Sequence, residues 1–182
     1  MAALMLTVPP HAVEGLKVLP VPLEADSHVT VVYLGDDVPV ETLGELVPTI
    51  YSVTASVKPF SALTHTVSTF PEGDNGVPVI ALVDSPALHQ LKDRICAALD
   101  SVGYEYDTRF PQYKPHVTLA YGPSHVAGLE AQIRPVSWEV GDVWLWGANR
   151  GTGELMVKFP FASEMSHAAH ARALVKLASW DR

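Results

Sequence analysis

The sequence predicts an α+β fold built from two related lobes. Strand-like and helix-like segments alternate along the chain in mixed order. Each half carries a strand with His-Val-Thr, then a helical segment, then further strands. No short fixed repeat is present, which excludes a solenoid.

The elements follow in order. Residues 4–8 form a short apolar run stopped by Pro9 and Pro10, as suits a strand leaving the core. A second such run, 28–34, stops at Gly35-Asp36-Asp37. From residue 40 to about 53 the spacing of Val40, Leu43, Leu46, Val47 and Ile50 is helical, and Pro48 should bend or end that helix. Residues 57–70 read as one or two strands, broken at Pro59 and closed by PEGDNG, where Asn75-Gly76 signals a turn. A β-branched strand follows over 77–83. Ser85 suits the N-cap and Pro86 the first position of the next helix, whose Leu88, Leu91, Ile95, Ala98 and Leu99 share one stripe and which Gly103 ends. Residues 116–121 repeat the character of 28–34. A short helical stretch is expected at about 126–133, then strands at about 137–140, 142–146 and 154–159, with NRGTG as a hairpin turn. The body is a single domain over 1–162, and the Ala-rich residues 163–182 read as a C-terminal helical tail.

The chain of 182 residues is long enough for one sizeable core, given 48% hydrophobic content, and too short for a second full domain. No apolar run reaches the roughly 18 to 20 residues of a membrane span, and the N-terminus lacks the features of a secretory signal. A soluble protein of the cytoplasm, with no membrane partner, is the expectation. Cys96, the single cysteine, sits in a helical pattern and reads as a small buried thiol. The formal charge of −8, with 12 Lys and Arg, argues against broad nucleic-acid binding. A nucleotide, a cyclic nucleotide or a short RNA end remains an acceptable partner, because a few local donors can hold one phosphate. Oligomeric state is not legible.

The chemistry lies in His28-Val29-Thr30 and His116-Val117-Thr118. In a strand, residues i and i+2 share a face about 6.6 Å apart, so each triplet presents an imidazole and a hydroxyl together. With 8 His, 24 Val and 11 Thr in the chain, about 0.06 copies are expected by chance. Two imidazoles flanking one phosphate can divide proton removal from proton donation near neutral pH. Thr30 and Thr118 can donate to non-bridging oxygens as charge builds there. This scheme calls for no metal and no cofactor. An amphipathic strand with Val inward is the plain alternative for either triplet. A zinc site fits poorly, since two histidines from separate strands fall short of three protein ligands. His65, His11, His89, His125, His167 and His170 lack the matching hydroxyl arrangement and read as surface or structural residues.

The phrases HVTVVYLGD and YKPHVTLAYG resemble the two His-x-Thr signatures of the 2H phosphoesterase superfamily, in the branch of 2′-5′ RNA ligases and cyclic phosphodiesterases. The strand VPVIALV, the helix PALHQLKDRICAALDSVG and the loop into the second motif follow the same order, and the resemblance spans about residues 3–161. It implies a bilobal fold of two antiparallel sheets related by a pseudo-twofold axis, with flanking helices and an active-site groove between them. It further implies His28 and His116 as catalytic acid and base, in an order the sequence leaves open, with Thr30 and Thr118 binding phosphate. The implied activity is hydrolysis of a cyclic or 2′,5′ phosphodiester in a nucleotide or short oligonucleotide. Residues 3–36 also resemble 2H domains at the front of bacteriophage structural or protease polypeptides. That implies two alternatives: a counter-defence (anti-CBASS) enzyme degrading cyclic oligonucleotide signals in a host cytoplasm, or a non-catalytic nucleotide-binding module.

Beyond the motifs, Arg109 and Lys114 are candidate phosphate contacts, with solvated loop charges as the alternative. Tyr113, Phe110 and Phe70 are candidates to stack on a base, with core packing as the alternative. By strand parity Tyr33 and Tyr121 should point away from the groove unless a bulge intervenes.

Overall fold

A computed structural model describes residues 1–16, 27–109, 112–149 and 153–162. The chain order is β1 (Ala2–Thr7), α1 (Pro10–Gly15), β2 (His28–Gly35), α2 (Val40–Thr54), β3 (Phe60–Thr69), β4 (Val77–Asp84), α3 (Pro86–Ser101), β5 (His116–Gly122), a 3₁₀ turn (Ser124–Val126), β6 (Ala131–Val140), β7 (Asp142–Asn149) and β8 (Gly153–Pro160). The expected tail at 163–182 and Phe110 lie outside the described residues. No helix among those residues is long and apolar enough to cross a membrane.

The strands form one antiparallel sheet in the order β6-β3-β4-β5-β2-β1-β7-β8. Its halves, β6-β3-β4-β5 and β2-β1-β7-β8, meet at β2 and β5, which pair through Val29 and Val117. The α+β class and the two lobes are therefore present, and the two expected sheets are halves of one sheet hinged at this bridge. Tyr104, Asp107 and Tyr113 supplement the seam along β2. The Tyr104 hydroxyl donates to the Leu34 carbonyl at 3.2 Å, the Asp107 amide to Tyr33 O at 3.1 Å, and the Tyr113 hydroxyl to Thr30 O at 3.0 Å. These bonds satisfy carbonyls that the short β2–β5 pairing leaves over.

One face of the sheet is closed by helices. Leu43, Leu46, Ile50 and Val53 of α2 and Leu88, Leu91, Ile95 and Leu99 of α3 pack in a common core with Val29, Val31, Val117 and Leu119. Each such side chain contributes about 1.5–3 kcal/mol through burial. Gly147 lets α2 approach β7, since a Cβ there would collide with the Leu43 side chain. Cys96 is buried, as expected, and accepts from the Lys92 ammonium at 3.7 Å.

Several local expectations are corrected. Helix α2 runs through Pro48; both Pro48 and Gly44, whose carbonyl loses its helical donor, are exposed, so water can take the orphaned oxygen. Ser85 occupies the N-cap of α3, yet its hydroxyl donates to Ser61 O at 3.1 Å and not to the helix. The helix expected at 126–133 is a 3₁₀ turn followed by β6, whose Ala131 and Gln132 pair with Val67 and Thr66 of β3. Pro135 is tolerated there because β6 is the edge strand. The short helix α1, opened by Pro10, had no periodic signature to announce it.

Candidate functional site

The bridge between the halves arranges the two motifs. In an antiparallel pair with Val29 opposite Val117, His28 lies opposite Thr118 and Thr30 opposite His116. Both valines are fully buried on the helix side, so the histidines and threonines rise together from the other face and are half-buried there. Regular sheet spacings place the four residues at the corners of a near-square, about 5 Å across the strands and about 6.6 Å along them, with the imidazoles on one diagonal and the hydroxyls on the other. A twofold rotation about the Val29–Val117 pair exchanges the two motifs.

His116 is held in one tautomer. Its Nδ1 lies 2.7 Å from the Lys114 carbonyl, which can only accept, so Nδ1 carries the hydrogen and Nε2 of the neutral ring carries the lone pair. Phe70 stands edge-on to the same ring, with centroids 4.7 Å apart at 87°. Burial lowers the pKa of His116, and the nearby His28 adds to the shift, against a raising effect from the Lys114 carbonyl. Among the described residues no group of three or more His, Cys, Asp or Glu is arranged to hold a metal ion.

The remaining candidates part company. Phe70 touches a motif histidine. Tyr113 is committed to structure: its hydroxyl is on Thr30 O, its ring meets His89 at 5.2 Å and sits under the Lys92 ammonium at 5.6 Å, and burial pushes its pKa up. Lys114 contributes its carbonyl to His116, while its side chain is exposed. Arg109 is paired with Asp107, Nε to carboxylate at 2.8 Å, which raises the guanidinium pKa and lowers that of the carboxyl. His11, His65, His89 and His125 are exposed, and His167 and His170 lie outside the described residues.

Sequence parity misplaces Tyr33 and Tyr121. Met5 pairs with Thr30 and Leu4 with Val32, so Val31 is an extra residue in β2; Ile80 pairs with Thr118 and Val79 with Ala120, so Leu119 is its counterpart in β5. Each bulge flips the alternation after the threonine and returns the tyrosine to the histidine face. The signal was present: Val31-Val32 and Leu119-Ala120 are paired apolar residues where alternation calls for one, and all four are buried. The Tyr33 hydroxyl donates to Asp36, and its pKa is pushed up to about 12, mainly by burial and then by that carboxylate. Tyr121 is exposed.

Residues 22–152 match the sequence profile of the 2′-5′ RNA ligase superfamily. No curated protein matches the chain. Among solved structures, TT0787 of Thermus thermophilus superposes with a TM-score of 0.66 at 19% identity, covering 91% of this chain and 100% of that one. E. coli LigT complexed with 3′-AMP gives 0.64 at 16% identity, covering 89% and 98%, and LigT in apo form gives 0.59 at 16%, covering 89% and 97%. At these identities the likeness establishes the fold, and the profile establishes the family. The chain belongs to the 2′-5′ RNA ligase superfamily of 2H phosphoesterases.

Proposed function

We propose that this chain is a metal-independent phosphodiesterase that hydrolyses a cyclic or 2′,5′ phosphodiester in a nucleotide or short oligonucleotide. The observation that carries the reading is the His-Thr square, two imidazoles on one diagonal and two hydroxyls on the other, on the open face of the seam. Nε2 of His116, which carries the lone pair of the neutral ring because the Lys114 bond holds the hydrogen on Nδ1, and whose pKa burial lowers, takes a proton from water. The water oxygen bonds to phosphorus, the bond to the leaving ribose oxygen breaks, and protonated His28 donates to that oxygen. Thr30 and Thr118 donate hydrogen bonds to the two non-bridging oxygens. One phosphomonoester and one hydroxyl result, and both histidines regain their starting states by exchange with solvent. A ribose hydroxyl in place of the water turns the same steps into strand joining.

A nucleotide substrate is favoured by the solved relatives, since LigT is described in complexes with 3′-AMP, NADP+ and ATP. The net charge of −8 favours a small ligand over a long polyanion. The test is incubation with 2′,3′-cyclic nucleotides, 2′,5′-linked dinucleotides and 3′,5′-cyclic oligonucleotides, with products identified by mass spectrometry. His28→Ala and His116→Ala should each abolish turnover while the circular dichroism spectrum is retained, and wild-type activity should survive EDTA. Full activity in either variant overturns the assignment.

A further inference from the structure

The face that bears His28 and Thr30 continues across β1 onto β7 and β8. Thr30 pairs with Met5, Met5 with Trp144, and Trp144 with Lys158, so this row of side chains points to one side of the sheet. In the adjoining row Tyr33 pairs with Ala3 and Ala3 with Trp146. Two half-buried indoles therefore share the open face with the motif, and Trp144 stands two strand spacings, about 10 Å, from Thr30.

In the other half an aromatic ring, Phe70, stands against His116 itself, and the row beyond Thr118 carries no indole. There the matching row runs from Thr118 to Ile80 to Ser68, so a serine stands where the first half has Trp144. The pseudo-twofold symmetry of the His-Thr square is thus broken beside it, and in one direction. Trp144 is also held in place. Its Nε1 donates to Asp142 Oδ1 at 2.9 Å, Asp142 Oδ2 meets the Lys158 ammonium at 2.8 Å, and that ammonium lies 5.3 Å from the centre of the indole. An oriented aromatic surface beside a phosphate site is how sequence-tolerant base binding is built.

We propose that Trp144, fixed by Asp142 and Lys158 and flanked by Met5 and Trp146, is a nucleobase platform. It receives the base attached to the phosphodiester on the β1, β2, β7, β8 side and sets the direction in which a nucleotide lies across the two histidines. The proposal rests on the functional reading above for the position of the phosphate. Stacking on a fixed indole is tolerant of base identity, so the platform selects for the presence of a base more than for its sequence.

The test compares adenosine 2′,3′-cyclic phosphate with the base-free ester glycerol 1,2-cyclic phosphate in the full chain, its Trp144→Ala variant and its Trp144→Phe variant. In Trp144→Ala the kcat/KM ratio of nucleotide to base-free ester should fall about tenfold, and Trp144→Phe should recover most of the ratio. An unchanged ratio overturns the platform while leaving the hydrolase reading intact. If neither ester is cleaved, the hydrolase reading fails and the platform is judged by calorimetric titration with 3′-AMP. Weaker binding by about tenfold in Trp144→Ala sustains it, and equal affinity removes it. Matching circular dichroism spectra and thermal midpoints for Trp144→Phe and wild type exclude a folding defect.

Discussion

The ring of Phe70 stands edge-on to the imidazole of His116, 4.7 Å between centroids and 87° between planes. A hydrocarbon edge at that distance removes water from one side of the imidazole and so disfavours its charged form. Burial is the leading cause of the lowered His116 pKa, and Phe70 is packed against the ring. The acidic limb of the kcat/KM profile should therefore lie below the ordinary histidine value of about 6.5. Phe70→Ala should move that limb upward toward about 6.5, and Phe70→Leu should move it less. A pH-rate series on the three proteins measures this, and a limb that stays in place assigns the desolvation to other groups.

The same shift has a consequence for stability, with a fixed sign. A histidine whose folded pKa is lowered binds its proton less readily when folded than when unfolded, so the unfolded chain holds more protons between the two values. Stability consequently rises with pH across that window and is lost as pH falls below about 6.5. His116→Asn removes this contribution. The difference in urea midpoint between wild type and variant should grow more favourable to the variant from about pH 7.5 down to about pH 5.5, which equilibrium unfolding at each pH will show.

How far the sequence carried the site follows from where its signals are local. His28, Thr30, His116 and Thr118 were legible because i and i+2 on a strand share a face whatever the tertiary structure. Their union on one face also needed β2 to pair with β5 with Val29 opposite Val117, a long-range register that no local pattern carries. Tyr33 and Tyr121 were misread because a bulge turns on backbone pairing, and its trace in sequence is a doubled apolar residue with more than one meaning. The platform at Trp144 was illegible for a different reason. It belongs to β7, far along the chain from Thr30, and joins the site only through the register of β1. Among helices, Leu88 to Leu99 declared α3 by spacing, whereas α1 is too short for any period to emerge.

Tyr113 ties the approach to β5 to the backbone of β2, and its removal tests how the seam is held. Tyr113→Phe deletes the hydroxyl that reaches Thr30 O at 3.0 Å and keeps the ring in place. The loss should be about 1 kcal/mol, which lowers the thermal midpoint by about 2–4 °C for a chain of this size. Since the carbonyl belongs to a residue of the square, kcat should fall more than KM rises. Calorimetry and steady-state kinetics on the one variant separate the two effects.

Gly76 closes the β3–β4 hairpin opposite Gly73, with mutual amide-to-carbonyl bonds of 3.0 Å. Its φ of +101° is a region that side chains rarely adopt, and a Cβ there would lie 2.7 Å from the backbone oxygen of Gly122, at the end of β5. Gly76→Ala should cost about 1–3 kcal/mol. Gly73→Ala should cost much less, since a Cβ at that position would meet no atom within 4 Å. Paired thermal melts of the two variants check the contrast.

The two threonines offer the sharpest test of the square itself. If each hydroxyl holds one non-bridging oxygen in the transition state, Thr30→Val or Thr118→Val should lower kcat about 10²-fold, as loss of a single oriented donor does elsewhere. Thr→Ser should restore most of the activity at either position, because the hydroxyl is kept and only a methyl is lost. Donors on separate oxygens act nearly independently, so the double Val variant should approach the product of the two effects, about 10⁴-fold. Donors that share one oxygen would give a double variant little worse than either single. Single-turnover rates for the four proteins distinguish these outcomes, and near-additive losses are the result expected when the two non-bridging oxygens lie along the diagonal between Thr30 and Thr118, with His28 and His116 on the other diagonal.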